Sequence, residues 1–152
     1  MSVRILTHVV ADLHQPLHAA DRYSHQYPDG DRGGNLFRLG PNPIARNLHA
    51  YWDRGGGWLL IKGRVSNRTL RLMARDLEKK WPCHLELIQQ NPNTWSQESF
   101  RIAVEKAYST KPFSIPSPSY QSMVQAVSQE RMALAGCRLA SYFSSRSKIT
   151  KK

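Results

Sequence analysis

His8-Val9-Val10-Ala11-Asp12-Leu13-His14-Gln15-Pro16-Leu17-His18 is the stretch on which the fold reading turns. It closes an apolar run from Ser2, in which Val3, Ile5, Leu6, Val9 and Val10 predict a buried helix over 2–12. Pro16 ends that helix, because proline lacks an amide hydrogen and biases the preceding residue away from helical dihedrals. Within the helix His8 and Asp12 stand four residues apart, one turn along the same face. His49-Ala50-Tyr51-Trp52-Asp53 repeats the spacing, in a helix expected to open at Asn42-Pro43 and to break at Gly55-Gly56-Gly57. Between the two motifs, Ala19 to Pro41 is a long loop rich in Asp, Gly, Pro and Tyr, and loops of that length are often functional.

Further along, Ser66 to Lys80 predicts a helix with Leu70, Met73 and Leu77 on one face. Thr94 with Gln97 forms a capping-box pattern ahead of a helix to about Tyr108. A proline-rich connection, Lys111 to Pro118, leads to the longest helix, about Ser119 to Phe143, with Met123, Val127, Leu134 and Phe143 on its apolar side. No stretch alternates at period two, so the fold class is all-α: one domain over 1–143, then a basic, disordered tail over 144–152.

The 152 residues hold 22 Lys and Arg against 11 Asp and Glu, a formal charge of +11, and 40% are hydrophobic. General disorder is thereby excluded, and polyanionic partners, nucleic acid or an anionic membrane surface, are favoured. No run reaches the ~18 apolar residues of a membrane span, so no transmembrane segment is expected. The first residues have no signal-peptide pattern. Cys83 and Cys137 lack CxxC spacing, which leaves two readings open: one disulfide, or two buried thiols.

A single His-x-x-x-Asp pair usually means a plain contact on a helix surface. Two pairs, with His18 between them, argue for metal. Imidazole and carboxylate without thiolate suit zinc, and also manganese or iron. His18, His49 and Asp53 could supply a hydrolytic site of three ligands with an open position, while His8 and Asp12 could supply part of a second, Asp12 bridging two ions. Neighbouring metals of this kind serve phosphoester hydrolysis.

Taken in order, His8-x-x-x-Asp12-x-His14-Gln15-Pro16-Leu17-His18, Asp31-Arg32-Gly33-Gly34-Asn35 and Asn47-Leu48-His49-x-x-x-Asp53 resemble the S1/P1 family of zinc-dependent nucleases. Trp95-x-x-Glu98-Ser99 and Arg131-x-Ala133-Leu134-Ala135-Gly136-x-Arg138-Leu139-Ala140 resemble that family's last two helices, so the likeness runs from about Leu6 to Ala140. The resemblance implies an all-α fold shared with bacterial phospholipase C, here truncated at the N-terminus. It implies hydrolysis of single-stranded DNA, RNA and 3′-nucleotides to 5′-phosphates, with up to three zinc ions in a full-length member. On it, His8 and Asp12 would bind zinc in a close pair, with Asp12 the bridging catalytic ligand. His18, His49 and Asp53 would hold the more separate zinc. Gly33, Gly34 and Asn35 would border the base, Asn35 bonding its edge. The family's remaining pair-site ligands precede the position of His8, so about one tight zinc is expected in this chain, along with self-association through an exposed first helix.

Family members are typically secreted or periplasmic; no compartment is assigned from the residues here. The readings set against a nuclease are a catalytically inactive metal- or nucleic-acid-binding remnant and a phospholipase C-like phosphodiesterase. Gly33-Gly34-Asn35 favours nucleotide over lipid. Plain structural or solvated roles are expected for His14, His25, His84, Asp29, Asp31 and the four tryptophans, whereas Arg22, Arg32, Arg38, Arg46 and Arg54 cluster where phosphate would lie.

Overall fold

Asparagine, serine and proline set the helix starts in the computed structural model, which describes residues 2–61, 63–84, 88 and 91–147. Helix α1 spans Val3–Leu13, α2 Leu48–Asp53, α3 Asn67–Lys80, α4 Pro92–Glu105 and α5 Pro118–Ser147. The described residues contain no sheet, only isolated bridges joining Ser24 to Tyr27 and Arg38 to Asn47. The all-α expectation holds.

Three boundaries depart from the sequence reading. Helix α2 starts at Leu48, not near Pro43. The Asn42 carboxamide instead closes a turn, accepting from the amides of Ile44 (2.9 Å) and Ala45 (3.0 Å), and Asn47 caps the helix by accepting from the Ala50 amide at 2.8 Å. Asparagine makes either motif, and the pairing of Leu39 with Arg46 across the turn selects between them. Helix α4 starts at Pro92 behind Asn91, because proline at the first helical position loses no hydrogen bond; Thr94 therefore lies inside it. Helix α5 runs on through Ser147, so residues 144–147 are helical and not a frayed tail; residues 148–152 lie outside the described residues.

Most of the core gathers around α2. Leu48, Tyr51 and Trp52 pack with Leu17, Phe37, Val124 and Val127, and the Trp52 indole donates to the Tyr120 hydroxyl at 3.0 Å. The triple glycine that follows takes positive φ throughout, 53°, 59° and 95°. A Cβ on Gly56 would sit 3.1 Å from the Gln121 carbonyl, so glycine lets this turn lie directly on α5.

A second cluster places α1: Val10, with Leu6 and Leu13, meets Trp95 and Ala135. Val10 and Leu6 therefore have packing partners within the chain. The buried helix read from the apolar run is buried only at Val10. Val3, Ile5 and Val9 are exposed, because the chain packs one edge of α1 against α4 and α5, and this matches the exposed first helix expected from the family resemblance.

Cys83 and Cys137 are joined in a disulfide across a sequence separation of 54, which settles the alternative left open above and fastens the segment after α3 to α5. A loop of that length restricts the unfolded chain by up to about 4 kcal/mol on the chain-entropy estimate. Replacing both cysteines by serine is expected to lower the unfolding free energy by about 2–4 kcal/mol in a denaturant titration, with native helicity retained.

Candidate metal centre

Three side chains, His18, His49 and Asp53, converge where the 3-10 turn Pro16–Ala19 meets α2. His18 Nε2 lies 3.7 Å from Asp53 Oδ1, and His49 Nε2 lies 3.5 Å from Asp53 Oδ2. The two imidazoles stack, their centroids 5.0 Å apart at 15°. His18, His49 and Asp53 each offer one donor atom within 4.8 Å of the others. On the opposite edge of His18, Nδ1 lies 3.6 Å from Asp12 Oδ1, and Asp12 Oδ2 lies 3.3 Å from His8 Nε2. Asp12 thus stands between the two histidines, and the His8 side chain is 75% exposed. Among the described residues, no third histidine, cysteine or acid joins His8 and Asp12 in such a group.

The donor set fits zinc. Metal–ligand bonds of about 2.0–2.2 Å at tetrahedral angles put ligand atoms roughly 3.3–3.6 Å apart, close to the two contacts on Asp53. The orientation of each side chain is also fixed from behind. His49 Nδ1 faces the Gly33 carbonyl at 2.8 Å, so it carries the hydrogen and Nε2 is left with its lone pair toward Asp53. Gln15 donates to Asp53 Oδ1 at 2.8 Å while its own carbonyl oxygen caps the 3-10 turn. Gln15 was missed in the sequence, although its place between two motif histidines was a signal.

The contact with Asp53 raises the pKa of His18. Burial pushes Asp53 up, but His18 and Gln15 outweigh it and hold the carboxyl below its ordinary value. A cation entering here would compete with protonation of His18.

The Gly33-Gly34-Asn35 turn lies against this centre. The Gly34 carbonyl accepts from the His49 amide at 3.2 Å. A Cβ on Gly33, where φ is +60°, would stand 2.5 Å from the Leu17 carbonyl. The two glycines therefore allow the loop to approach His49, a positioning task that the sequence reading had not assigned to them. Asn35 is exposed and donates to the Arg32 carbonyl at 2.9 Å.

Asp31, fully buried, ties the loop together: Oδ1 accepts from the amides of Arg22 (3.1 Å) and Gly34 (2.9 Å) and from the Tyr108 hydroxyl (2.9 Å). Turn chemistry is thus its role. Arg22 stacks over Phe37 and Tyr108, and Arg54 donates to the Ile44 carbonyl, so these two arginines have structural partners, while Arg32, Arg38 and Arg46 are exposed.

Beside the centre lies a cavity of about 200 Å³, with Asp12, Gln15, His18 and Asp53 on one wall and Arg131 and Met132 on another. Behind it is a buried network. Glu98 accepts from Arg131 (2.8 Å) and from both terminal nitrogens of Arg138 (2.8 and 2.7 Å). Ser99 donates to the Leu13 carbonyl at 2.6 Å, and Arg131 donates to the His14 carbonyl at 3.4 Å. His14 Nδ1 meets the Val10 carbonyl at 2.7 Å, so Nε2 accepts from Arg138 at 2.8 Å. Burial lowers His14 to about 4, with Arg131 and Arg138 adding to the effect; it is a neutral structural histidine, as expected. The Trp95/Glu98/Ser99 and Arg131/Arg138 motifs thus form the brace under the end of α1.

The family description S1/P1 Nuclease matches residues 1–147. The chain belongs to that nuclease family. It is also similar to Endonuclease 1 of Arabidopsis thaliana, 28% identical over 148 residues, an alignment that covers 89% of this chain and 46% of the plant protein. The chain spans about half the length of that relative.

Burial raises the Glu98 carboxyl, yet the two guanidiniums prevail and hold it at about 2 against an ordinary 4.5. A depressed folded pKa means that this stability is complete above 4.5 and is lost as pH falls toward 2. Glu98→Gln should cost about 3 kcal/mol at neutral pH, because it leaves two buried guanidiniums without a counter-charge. Its stability profile should also lose part of the slope below pH 4.5, read by urea unfolding at a series of pH values.

Proposed function

We propose that this chain carries a zinc site of a phosphodiesterase that cuts single-stranded DNA and RNA internally, leaves 5′-phosphates and also hydrolyses 3′-nucleotides. The observation that carries the reading is the convergence of His18 Nε2, His49 Nε2 and the Asp53 carboxylate beside a cavity, in a member of a nuclease family. The description of the Arabidopsis relative as an endonuclease supports the mode of cutting. Zinc bound there would polarise a phosphoryl oxygen and stabilise the leaving oxygen of the ester.

The chain's own groups divide the remaining work. Gly33 and Gln15 hold His49 and Asp53 in register for the cation. Asp12, against Nδ1 of His18, orients that ring and keeps a carboxylate free toward His8 for a second ion. Gly33, Gly34 and Asn35 border the base; the Asn35 carbonyl oxygen and second amide hydrogen are left for its edge.

One observation favours a second reading for the isolated chain. His8 and Asp12 have no third donor among the described residues, and two ligands hold zinc weakly. On that reading the chain binds metal and nucleic acid but hydrolyses little alone, because generation of the attacking hydroxide falls to the close pair.

Four measurements test these statements. Equilibrium dialysis should find about one tight zinc per chain, and three in a verified monomer would remove the second reading. His49→Ala should abolish that binding and the accompanying rise in Tm; unchanged zinc content would overturn the assignment. Zinc-loaded protein given single-stranded DNA or a 3′-mononucleotide should turn over slowly, and brisk turnover abolished by chelator would show the pair site to be dispensable. Sedimentation should also reveal self-association through Val3, Ile5 and Val9, the exposed apolar side chains of α1.

A further inference from the structure

Helix α3 carries a row of charge that the metal centre does not use. Arg68, Arg71, Arg75 and Lys79 are all exposed and follow one another at intervals of three, four and four residues. At 3.6 residues per turn these steps keep the four side chains on one face, along about 16 Å of helix. None of them appears in an ion pair among the described residues, whose ion pairs gather instead at Asp12, Asp53 and Glu98.

The rest of α3 explains why this face looks outward. Leu77 is buried and Met73 is half-buried on the opposite side. At the C-terminal end Lys80 donates to Gln129 of α5 at 2.9 Å, and the Cys83–Cys137 disulfide follows. Gln129 adjoins Ser128, which lines the cavity together with Asp12, His18 and Asp53. Helix α3 and the cavity beside the candidate metal centre therefore both border α5.

We propose that this face of α3 is a ridge for single-stranded nucleic acid, on which Arg68, Arg71, Arg75 and Lys79 contact phosphates of the strand beyond the nucleotide held at the metal centre. The inference rests on the nuclease reading and extends it to the part of the substrate that is not cut. Guanidinium and ammonium groups spaced along a rigid helix recognise a regular polyanion without reading its bases, which suits an enzyme acting on any sequence.

An anionic bilayer is the competing polyanion, and the helix is poorly made for it. Interfacial helices need a continuous apolar face to insert. Here that face is packed inward at Leu77, and the exposed Leu70 and Leu72, two residues apart, project to opposite sides.

Fluorescence anisotropy tests the ridge with a labelled oligothymidylate of about 20 nucleotides in EDTA, titrated over a range of sodium chloride concentrations. Two variants each remove three charges: Arg71→Gln/Arg75→Gln/Lys79→Gln on the ridge, and Arg4→Gln/Arg101→Gln/Lys111→Gln at exposed sites elsewhere. The ridge variant is expected to lose about tenfold or more in affinity at low salt, with the slope of log K against log salt falling by about two, near 0.7 per lost phosphate contact. The control variant should change by less than about threefold, and circular dichroism should show both folded.

Equal losses in the two variants would overturn the proposal, since they would mean diffuse charge. So would an unchanged ridge variant, or tighter binding to phosphatidylserine vesicles than to the oligonucleotide at the same ionic strength. The chelator keeps the metal centre out of the measurement, so this result and that of His49→Ala fail independently.

Discussion

Glu98 holds two guanidiniums, and through them it holds the end of the first helix. Arg131 and Arg138 enter from α5 and Glu98 from α4. Arg131 donates to the His14 carbonyl and to Ser99, Arg138 to the His14 ring, and Ser99 in turn to the Leu13 carbonyl, so that the bonds meet at the end of α1. Three helices are thus locked at one point by charge-assisted bonds to two nearly buried guanidiniums, for which a missing partner is costly. Asp12, Gln15 and His18 lie within four residues of that point. Their positions are inherited from the clamp rather than from their own contacts with solvent.

The other half of the centre is placed by backbone approach. Gly33 and Gly34 bring two carbonyls onto His49, one to its ring and one to its amide. Asp31 pins this turn from inside by accepting two amides and the Tyr108 hydroxyl. A charged clamp thus fixes the turn carrying His18, and a glycine turn fixes the helix carrying His49 and Asp53. Gln15 joins the two halves with one bond to Asp53.

Much of this was legible in the sequence, because i,i+4 spacing maps directly onto a helix face. The pairs His8/Asp12 and His49/Asp53 needed only a helix to bring them together, and both helices formed. The contact of His18 with both aspartates could not be read from spacing, since it depends on how a 3-10 turn folds back toward α2. Ligand chemistry offered the grouping of His18 with His49 and Asp53 as one possible three-donor set, and the family resemblance then implied it. Helix starts failed where two motifs were equally good locally: Asn42 and Asn47 can each cap a helix, and tertiary pairing across the 38–47 turn chose the second. Gln15 went unread because its place between His14 and His18 marks it only as part of the motif, and its bond to Asp53 depends on how the 3-10 turn meets α2.

Charge is distributed so that inside and outside ask for different ions. The centre presents two carboxylates, Asp12 and Asp53, in a chain of formal charge +11. Carboxylates repel a phosphodiester, so the centre is suited to substrate only once cations outweigh them, and its imidazole and carboxylate donors are the kind that hold such cations. The exterior of α3 has the opposite character, with four exposed basic side chains and no partners among the ion pairs of the described residues. On the two proposals, a strand drawn by the exterior charge would meet a centre that attracts it only when loaded with metal. Attraction and turnover would then be separable, the first set by salt and the second by metal.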